Sequence, residues 1–409
     1  MAPLRQRTIT LQIATCVYTP RRRRPDAGFV KPTEGSSVVR STWPATLRLG
    51  ILLIAIALVT GACGGDDEAE TTTTATAVPR PPTTTTTRAP TSTSSATTTT
   101  STMAPEPVGG PSLLNGLPTE VDADADRRVV AVKIDNHPDA RPQSGIQEAD
   151  AVIELVVESG ITRFIALFHT SDSEYVGPIR SGRPTDPTLV RPLEAVMQIS
   201  GAQGWVQSII RNAGVSFLSE TEPNTFRIPR GTRAYERTLY GTTEEMRNVA
   251  DGRDIADDAP SGPWFEFAED PTATTEDAEV ALFNWSPQWP TVRWEWDGEQ
   301  WIRFNGETAH EWVDAEGEGE QISADVLIVL MADQYTASGS SGSSVPALTT
   351  LGEGAALVFH SGGVLEGTWE RESIEEYFVL KTPDGDTITV PPGRLWLAMF
   401  PDHRTVEWE

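Results

Sequence analysis

The sequence predicts an α+β protein, with a mixed α/β N-terminal domain followed by a mostly β C-terminal domain. Two observations support this prediction. Residues 129–214 contain apolar, β-branched runs, glycine turns and a helix-like segment, an order that is typical of α/β units. Residues 281–409 contain a series of short strand-like runs separated by Gly and Pro turns, and this pattern favours a β-rich domain.

The N-terminal domain begins with strand-like elements. Residues 129–134 form a short valine-rich run, which predicts a buried strand that ends before Pro138. Residues 151–158 and 161–169 are two further apolar runs on either side of a Ser-Gly pair. This arrangement predicts a β-hairpin.

Two helices are predicted after the hairpin. Residues 186–196 predict a helix with Pro187 in its first turn, and Pro192 is expected to break or delay it. Residues 205–211 predict a second helix, and residues 212–214 are expected to close it.

The C-terminal domain is rich in tryptophan near its start. Residues 292–296 and 300–304 flank an Asp-Gly pair, which predicts a hairpin. Exposed tryptophans would form a stacking platform for a carbohydrate or a peptide, whereas buried ones would fill a small β core. Their alternation places them on one face and favours the core. The tryptophans of this region are Trp285, Trp289, Trp294, Trp296, Trp301 and Trp312.

The N-terminal extension, residues 1–62, has the features of a lipoprotein signal peptide. It is basic, and an apolar run over residues 49–59 is too short to span a bilayer but suits a signal sequence. Small residues directly before Cys63 resemble the lipobox of bacterial lipoproteins, which predicts a membrane anchor on a lipidated Cys63. An uncleaved anchor and an ordinary secretory signal are the alternatives.

Two segments between these regions are predicted to be linkers. Residues 63–122 are rich in Thr and Pro and are predicted to form a disordered stalk. Residues 252–280 form an acidic connection between the folded domains, which are expected at 123–251 and 281–409. Cys16 and Cys63 are the only cysteines, so the mature chain is expected to contain neither a disulfide nor a Cys-type zinc site.

The charge distribution restricts the partners. The net charge of −26 opposes binding to nucleic acid. Residues 133–237 hold 11 basic and 13 acidic residues, whereas residues 251–409 hold 7 and 32. An anionic ligand is therefore expected only at the N-terminal domain.

Polar residues in the loops of this domain are the candidate ligand-binding groups. Guanidinium groups suit phosphates and carboxylates because each presents a planar fork of donors. Convergence on an open cleft would favour anion binding, whereas pairing with Asp135, Asp139, Asp150 and Asp186 would indicate a structural role. The candidates are Asn136, Arg141, Arg163, Arg180 and Arg183.

Catalysis receives little support from the sequence. None of the common hydrolase, metalloprotease or nucleotide-binding motifs occurs. Asp135 and His137 are weak candidates for a general base, but a histidine before a proline is more often a hydrogen-bonded turn residue. The sequence therefore favours a binding protein over an enzyme without deciding between them, and we expect neither a cofactor nor a metal.

The same residues resemble a known family. The runs KIDNHPDARPQSGIQEADAVIE, ESGITRFIALF and VGPIRSGRP resemble the N-terminal domain of the YerB-like lipoproteins, or DUF3048 family. Residues 197–214 and 233–246 extend the likeness, although Glu236-Arg237-Thr238 replaces the usual Pro-His-Asn. Residues 366–393 resemble the C-terminal domain of the family. The resemblance implies a bacterial envelope lipoprotein and brings no reaction with it.

These observations together predict a lipid-anchored extracytoplasmic envelope protein. Its expected role is to bind an anionic envelope component, such as a glycan, or a protein partner. One alternative is an envelope hydrolase or transferase that acts on a phosphate- or carboxylate-bearing glycan. The other alternative is a scaffold that only docks other proteins.

Overall fold

Strands from both halves of the chain form one eleven-stranded sheet in the computed structural model, which describes residues 109–119, 125–229, 231–340 and 342–409. The N-terminal strands are β1 (Val130–Asp135), β2 (Gln143–Ser144), β3 (Ala151–Val156), β4 (Thr162–Phe168), β5 (Val196–Gln198), β6 (Phe217–Leu218), β7 (Thr225–Arg227) and β8 (Leu239–Gly241). The helices are α1 (Asp186–Val190), α2 (Gly204–Asn212) and α3 (Thr243–Asp251), with 3₁₀ turns at Pro138–Ala140, Glu158–Gly160, Arg191–Leu193 and Tyr235–Arg237.

The C-terminal half of the described chain consists of strands. They are β9 (Glu276–Asp277), β10 (Val280–Asn284), β11 (Val292–Trp296), β12 (Trp301–Asn305), β13 (Thr308–Ala309), β14 (Glu311–Val313), β15 (Gly319–Gln321), β16 (Ser323–Ala324), β17 (Val326–Ala332), β18 (Gln334–Ser338), β19 (Ser344–Leu348), β20 (Gly352–His360), β21 (Gly363–Arg371), β22 (Val379–Lys381), β23 (Leu395–Pro401) and β24 (Thr405–Trp408).

The large sheet joins the two halves at its centre. Its order is β22-β21-β20-β17-β23-β3-β4-β1-β5-β6, and β9 pairs with β21. Strand β23 runs parallel to β3, with Leu395 opposite Ala151. Every residue of β1, β3, β4 and β23 is buried, as expected for strands covered on both faces. The segments 123–251 and 281–409 therefore contribute to one sheet and one hydrophobic core.

Two smaller sheets complete the region around this join. A six-stranded sheet has the order β13-β12-β11-β10-β24, with β16 also paired to β12. A three-stranded sheet has the order β15-β14-β2, in which Gln143 of β2 lies opposite Trp312 of β14. The predicted core role of the tryptophans is confirmed for Trp285, Trp294 and Trp301, which are buried. The others, Trp289, Trp296 and Trp312, are only partly buried.

The local predictions hold better for strands than for helices. The strand at β1, the β3–β4 hairpin and the β11–β12 hairpin are confirmed. The predicted helix over residues 186–196 is too long, since α1 ends at Val190 and a 3₁₀ turn follows. Pro192 has no backbone N–H to continue the α-helical hydrogen bonds. The described chain is mostly β, with few and short helices.

The predicted signal peptide, Cys63 and most of the stalk lie outside the described residues. Within the described part, no helix has the length and apolar character needed to cross a membrane.

Candidate functional site

A cleft of about 330 Å³ lies where the two halves of the chain meet. The loop after β1 forms one wall, and Pro138 begins a 3₁₀ turn within it. The tip of the β3–β4 hairpin and the segment between β10 and β11 form the other walls. The lining residues are Asn136, Pro138, Arg141, Gly160, Ile161, Thr162, Trp285, Trp289, Pro290, Val292, Asn305 and Thr308.

Arg141 supplies the positive charge of this cleft. Its Nε donates to Asn136 Oδ1 at 3.1 Å, and its Nη2 donates to the Asn136 carbonyl at 3.1 Å. Burial, together with the nearby charge of Arg303, lowers the pKa of Arg141 to about 10. Glu154 and Asp135 attract the guanidinium through space, but it makes no ion pair among the described residues. Arg141 is therefore a partly desolvated cation at neutral pH.

The walls around Arg141 are mainly apolar and aromatic. Trp289 is held by its indole N–H, which donates to the Ser159 carbonyl at 2.8 Å. The His137 ring meets the Trp289 ring edge-on, with ring centroids 5.9 Å apart. A cation beside fixed aromatic and proline surfaces can bind a ligand that combines an anionic group with an apolar face.

Behind the cleft lies a buried ion pair between the two halves. Arg303 Nη2 donates to Glu154 Oε1 at 2.8 Å, and both side chains are fully buried. Thr162 Oγ1 donates to the same carboxylate oxygen at 2.6 Å, and the Trp396 indole donates to the other oxygen at 3.0 Å. These bonds compensate the carboxylate for the loss of water.

Other arginines of the N-terminal half surround Asp135 instead. We call Asp135, Arg180, Arg237 and Arg163 the Asp135 cluster. Asp135 Oδ2 lies 3.3 Å from Arg180 Nε and 3.5 Å from Arg237 Nε. Arg163 is almost completely buried, and Nη1 donates to the Ser181 carbonyl at 2.8 Å. Burial, with the charge of Arg183, lowers the pKa of Arg163 to about 9.

The candidate residues therefore fall into two groups. Asn136 and Arg141 line the cleft. Arg163 and Arg180 belong to the Asp135 cluster, while Arg183 Nε pairs with Glu158 Oε2 at 2.7 Å. The four arginines do not converge on one open cleft.

The weak catalytic candidates are held by ordinary structural bonds. Asp135 is 3% exposed, and its Oδ1 accepts from the His137 backbone N–H at 3.2 Å. His137 Nδ1 accepts from the Asp139 backbone N–H at 3.1 Å, so His137 is a hydrogen-bonded turn residue. Within the described ranges, no group of three or more His, Cys, Asp or Glu side chains is arranged to hold a metal.

Sequence reasoning missed several residues of the site. Thr162 and Trp289 line the cleft, and Arg237 completes the Asp135 cluster. Trp289 was detectable as an aromatic residue within the Trp-rich run. Thr162 and Arg237 carry no comparable signal, because their partners Glu154 and Asp135 lie on other strands.

The shared sheet and the cleft at its join define a β-rich protein built from two sequence segments. The DUF3048 N-terminal domain matches residues 114–256, and the DUF3048 C-terminal domain matches residues 280–397. The chain therefore belongs to the DUF3048 family, which is described as a family of proteins of unknown function.

A relative and a solved structure agree with this assignment. The chain is 24% identical over 291 residues to "Putative lipoprotein YerB" of Bacillus subtilis, across 71% of this chain and 86% of that protein. The crystal structure of YerB from Bacillus subtilis superposes with a TM-score of 0.61 at 23% identity. It covers 73% of this chain and 99% of that one, and it supports the fold alone.

Proposed function

We propose that this protein is a lipid-anchored extracytoplasmic protein that binds an anionic envelope component in the Arg141 cleft. The relative that is named as a lipoprotein supports the anchor, as does the signal-like sequence that ends at Cys63. The unpaired Arg141 guanidinium in an aromatic cleft supports the ligand-binding role. This last observation carries the proposal.

The ligand that suits this cleft is a carboxylate- or phosphate-bearing sugar. Arg141 Nη1 makes no hydrogen bond in the described structure and is available to an acidic group. Trp289 and Pro290 offer apolar surface to a sugar ring, and the side chains of Asn305 and Thr308 can bond its hydroxyls. A volume of about 330 Å³ lies at the lower end of the range for ligand pockets, which suits one or two sugar units.

Calorimetric titration with N-acetylmuramic acid tests this proposal, with N-acetylglucosamine as the neutral ligand of the same ring type. We expect the acid to bind and the neutral sugar to bind at least tenfold more weakly, a difference of about 1.4 kcal/mol. Arg141→Gln should abolish the preference for the acid, because it removes the charge that recognises the carboxylate.

Arg191→Gln is the matched control, since it also removes one arginine, but Arg191 pairs with Glu194 and does not line the cleft. We expect it to bind the acid as the wild type does. Equal affinity of the wild type for the acid and the neutral sugar would contradict the proposal, and so would an unchanged preference in Arg141→Gln.

A further inference from the structure

We infer that Gln143 and His310 are positioning residues that hold Arg141 in its binding orientation through Asn136. This inference rests on the proposed function of the Arg141 cleft. Neither residue lines the cleft, and both are buried within the join between the two halves. They belong to a closed ring of hydrogen bonds that passes beneath the cleft.

The ring contains six side chains. Arg303 Nη1 donates to His310 Nδ1, and His310 Nε2 bonds Gln143 Oε1 at 2.9 Å. Gln143 Nε2 donates to Asn136 Oδ1 at 3.2 Å, and Asn136 Nδ2 donates to Thr162 Oγ1 at 2.7 Å. Thr162 and Arg303 then both donate to Glu154 Oε1, which closes the ring.

The two arginines fix the direction of every bond in this ring. Arg303 can only donate, so His310 Nδ1 must accept and His310 Nε2 must carry the hydrogen. That hydrogen requires the oxygen of Gln143 to face His310, which turns its NH₂ group towards Asn136. Arg141 Nε also can only donate, so Asn136 must present its oxygen to it. Both constraints give Asn136 the same orientation.

His310 suits this role because it stays neutral. Burial, together with the charges of Arg303 and Arg141, holds its pKa well below the usual 6.5. A neutral imidazole accepts at one nitrogen and donates at the other, as the ring requires. Glu154 balances the charge of Arg303 on the opposite side of the ring.

The pairing of β2 with β14 brings the ring together. Gln143 lies in β2, whereas His310 lies between β13 and β14, and Arg303 lies in β12. The C-terminal half therefore determines how Asn136 is oriented, and through it where the Arg141 guanidinium is held. This explains how a cation can keep one position in a cleft without a carboxylate partner.

Gln143→Met tests the inference in the full-length protein purified in detergent, with N-acetylmuramic acid as the probe. Methionine has a similar length and removes all three side-chain hydrogen bonds of Gln143, including the one from Nε2 to the Asp135 carbonyl at 3.0 Å. We expect about tenfold weaker binding of the acid, because Asn136 and Arg141 lose their fixed orientation. In an Arg141→Gln background, Gln143→Met should cause no further weakening, since it acts through Arg141.

Gln147→Met is the matched control. Gln147 also joins the halves, through bonds to the Ser323 backbone carbonyl and hydroxyl at 3.0 and 2.7 Å, but it lies outside the ring. We expect it to lower the melting temperature without changing the affinity for the acid. If Gln143→Met does not fold, Gln143→Asn replaces it, because its shorter side chain cannot reach both partners.

The outcomes separate this inference from the proposed function. If Arg141→Gln removes the acid preference but Gln143→Met leaves the affinity unchanged, the positioning role is wrong and the cleft remains the binding site. Additive losses in the double variant would also overturn the positioning role. If Arg141→Gln has no effect, the proposed function is wrong and the inference fails with it.

Discussion

The Arg141 cleft and the Asp135 cluster show two different uses of the same residue type. In the cluster, Arg180 and Arg237 face a carboxylate within 3.3–3.5 Å. In the cleft, Arg141 faces aromatic and proline surfaces and is held by the oxygens of Asn136. An arginine with a local counter-ion has its charge satisfied by the fold, whereas Arg141 leaves its charge available to a ligand. The difference lies in the partner and not in the arginine.

The largest effect is expected from Glu154→Leu, which would break the ion pair behind the cleft. It leaves the Arg303 charge fully buried without a counter-ion, and such losses cost about 3–5 kcal/mol of folding free energy. Chemical denaturation at pH 7.5 measures this cost. A loss below 1 kcal/mol would mean that Arg303 finds another partner. The Glu154–Arg303 ion pair would then not be what stabilises the region behind the Arg141 cleft.

Asp135→Asn is expected to have a smaller effect. It tests the difference between the Asp135 cluster and the Arg141 cleft. It removes the carboxylate shared by Arg180 and Arg237, whose side chains are 20% and 14% exposed. Because water partly screens these guanidiniums, we expect a loss of about 2 kcal/mol. Denaturation should show this loss, while calorimetry shows an unchanged affinity for N-acetylmuramic acid. Weaker binding without destabilisation would place the ligand at the Asp135 cluster.

The effect of pH on stability is divided among several buried histidines. Burial holds the pKa of His310 below its usual value in the folded protein, and the same holds for His169 and His360. As the pH falls below 6.5, these histidines therefore bind protons in the unfolded chain at a higher pH than in the folded protein. Stability should decrease towards pH 5, by up to about 1.4 kcal/mol per pH unit for each histidine.

His310→Gln isolates the contribution of His310 to this pH effect. The variant should show a smaller decrease in unfolding free energy between pH 7 and pH 5 than the wild type, because one titrating group is absent. His403→Gln is the control, since His403 is exposed. An identical decrease in wild type and His310→Gln would contradict a buried, neutral His310.

Local patterns predicted much of the fold but not its join. The valine-rich run of β1 and the Ser-Gly pair of the β3–β4 hairpin carry their signals within a few residues. The pairing of β3 with β23 connects residues more than 200 positions apart, as the bond from Trp396 to Glu154 illustrates. No local sequence pattern indicates that β3 pairs with β23. The two segments therefore look like separate domains in the sequence although they share a sheet.

The same limit applies to the site. The sequence identified Asn136 and Arg141 together with Arg163, Arg180 and Arg183, because all lie near strand ends. The sequence could not distinguish Arg141 from the paired arginines, because the residues that surround each arginine come from distant parts of the chain. Glu158 pairs with Arg183, and Arg237 lies beside the same carboxylate as Arg180. Trp289 and Pro290, in contrast, line the cleft with Arg141.

The most direct test is a crystal structure of residues 109–409 soaked with N-acetylmuramic acid. We expect the sugar to lie between Trp289 and the 136–141 loop, with its carboxylate within hydrogen-bond distance of the Arg141 guanidinium. A carboxylate bound to Arg180 and Arg237, with an empty Arg141 cleft, would contradict it.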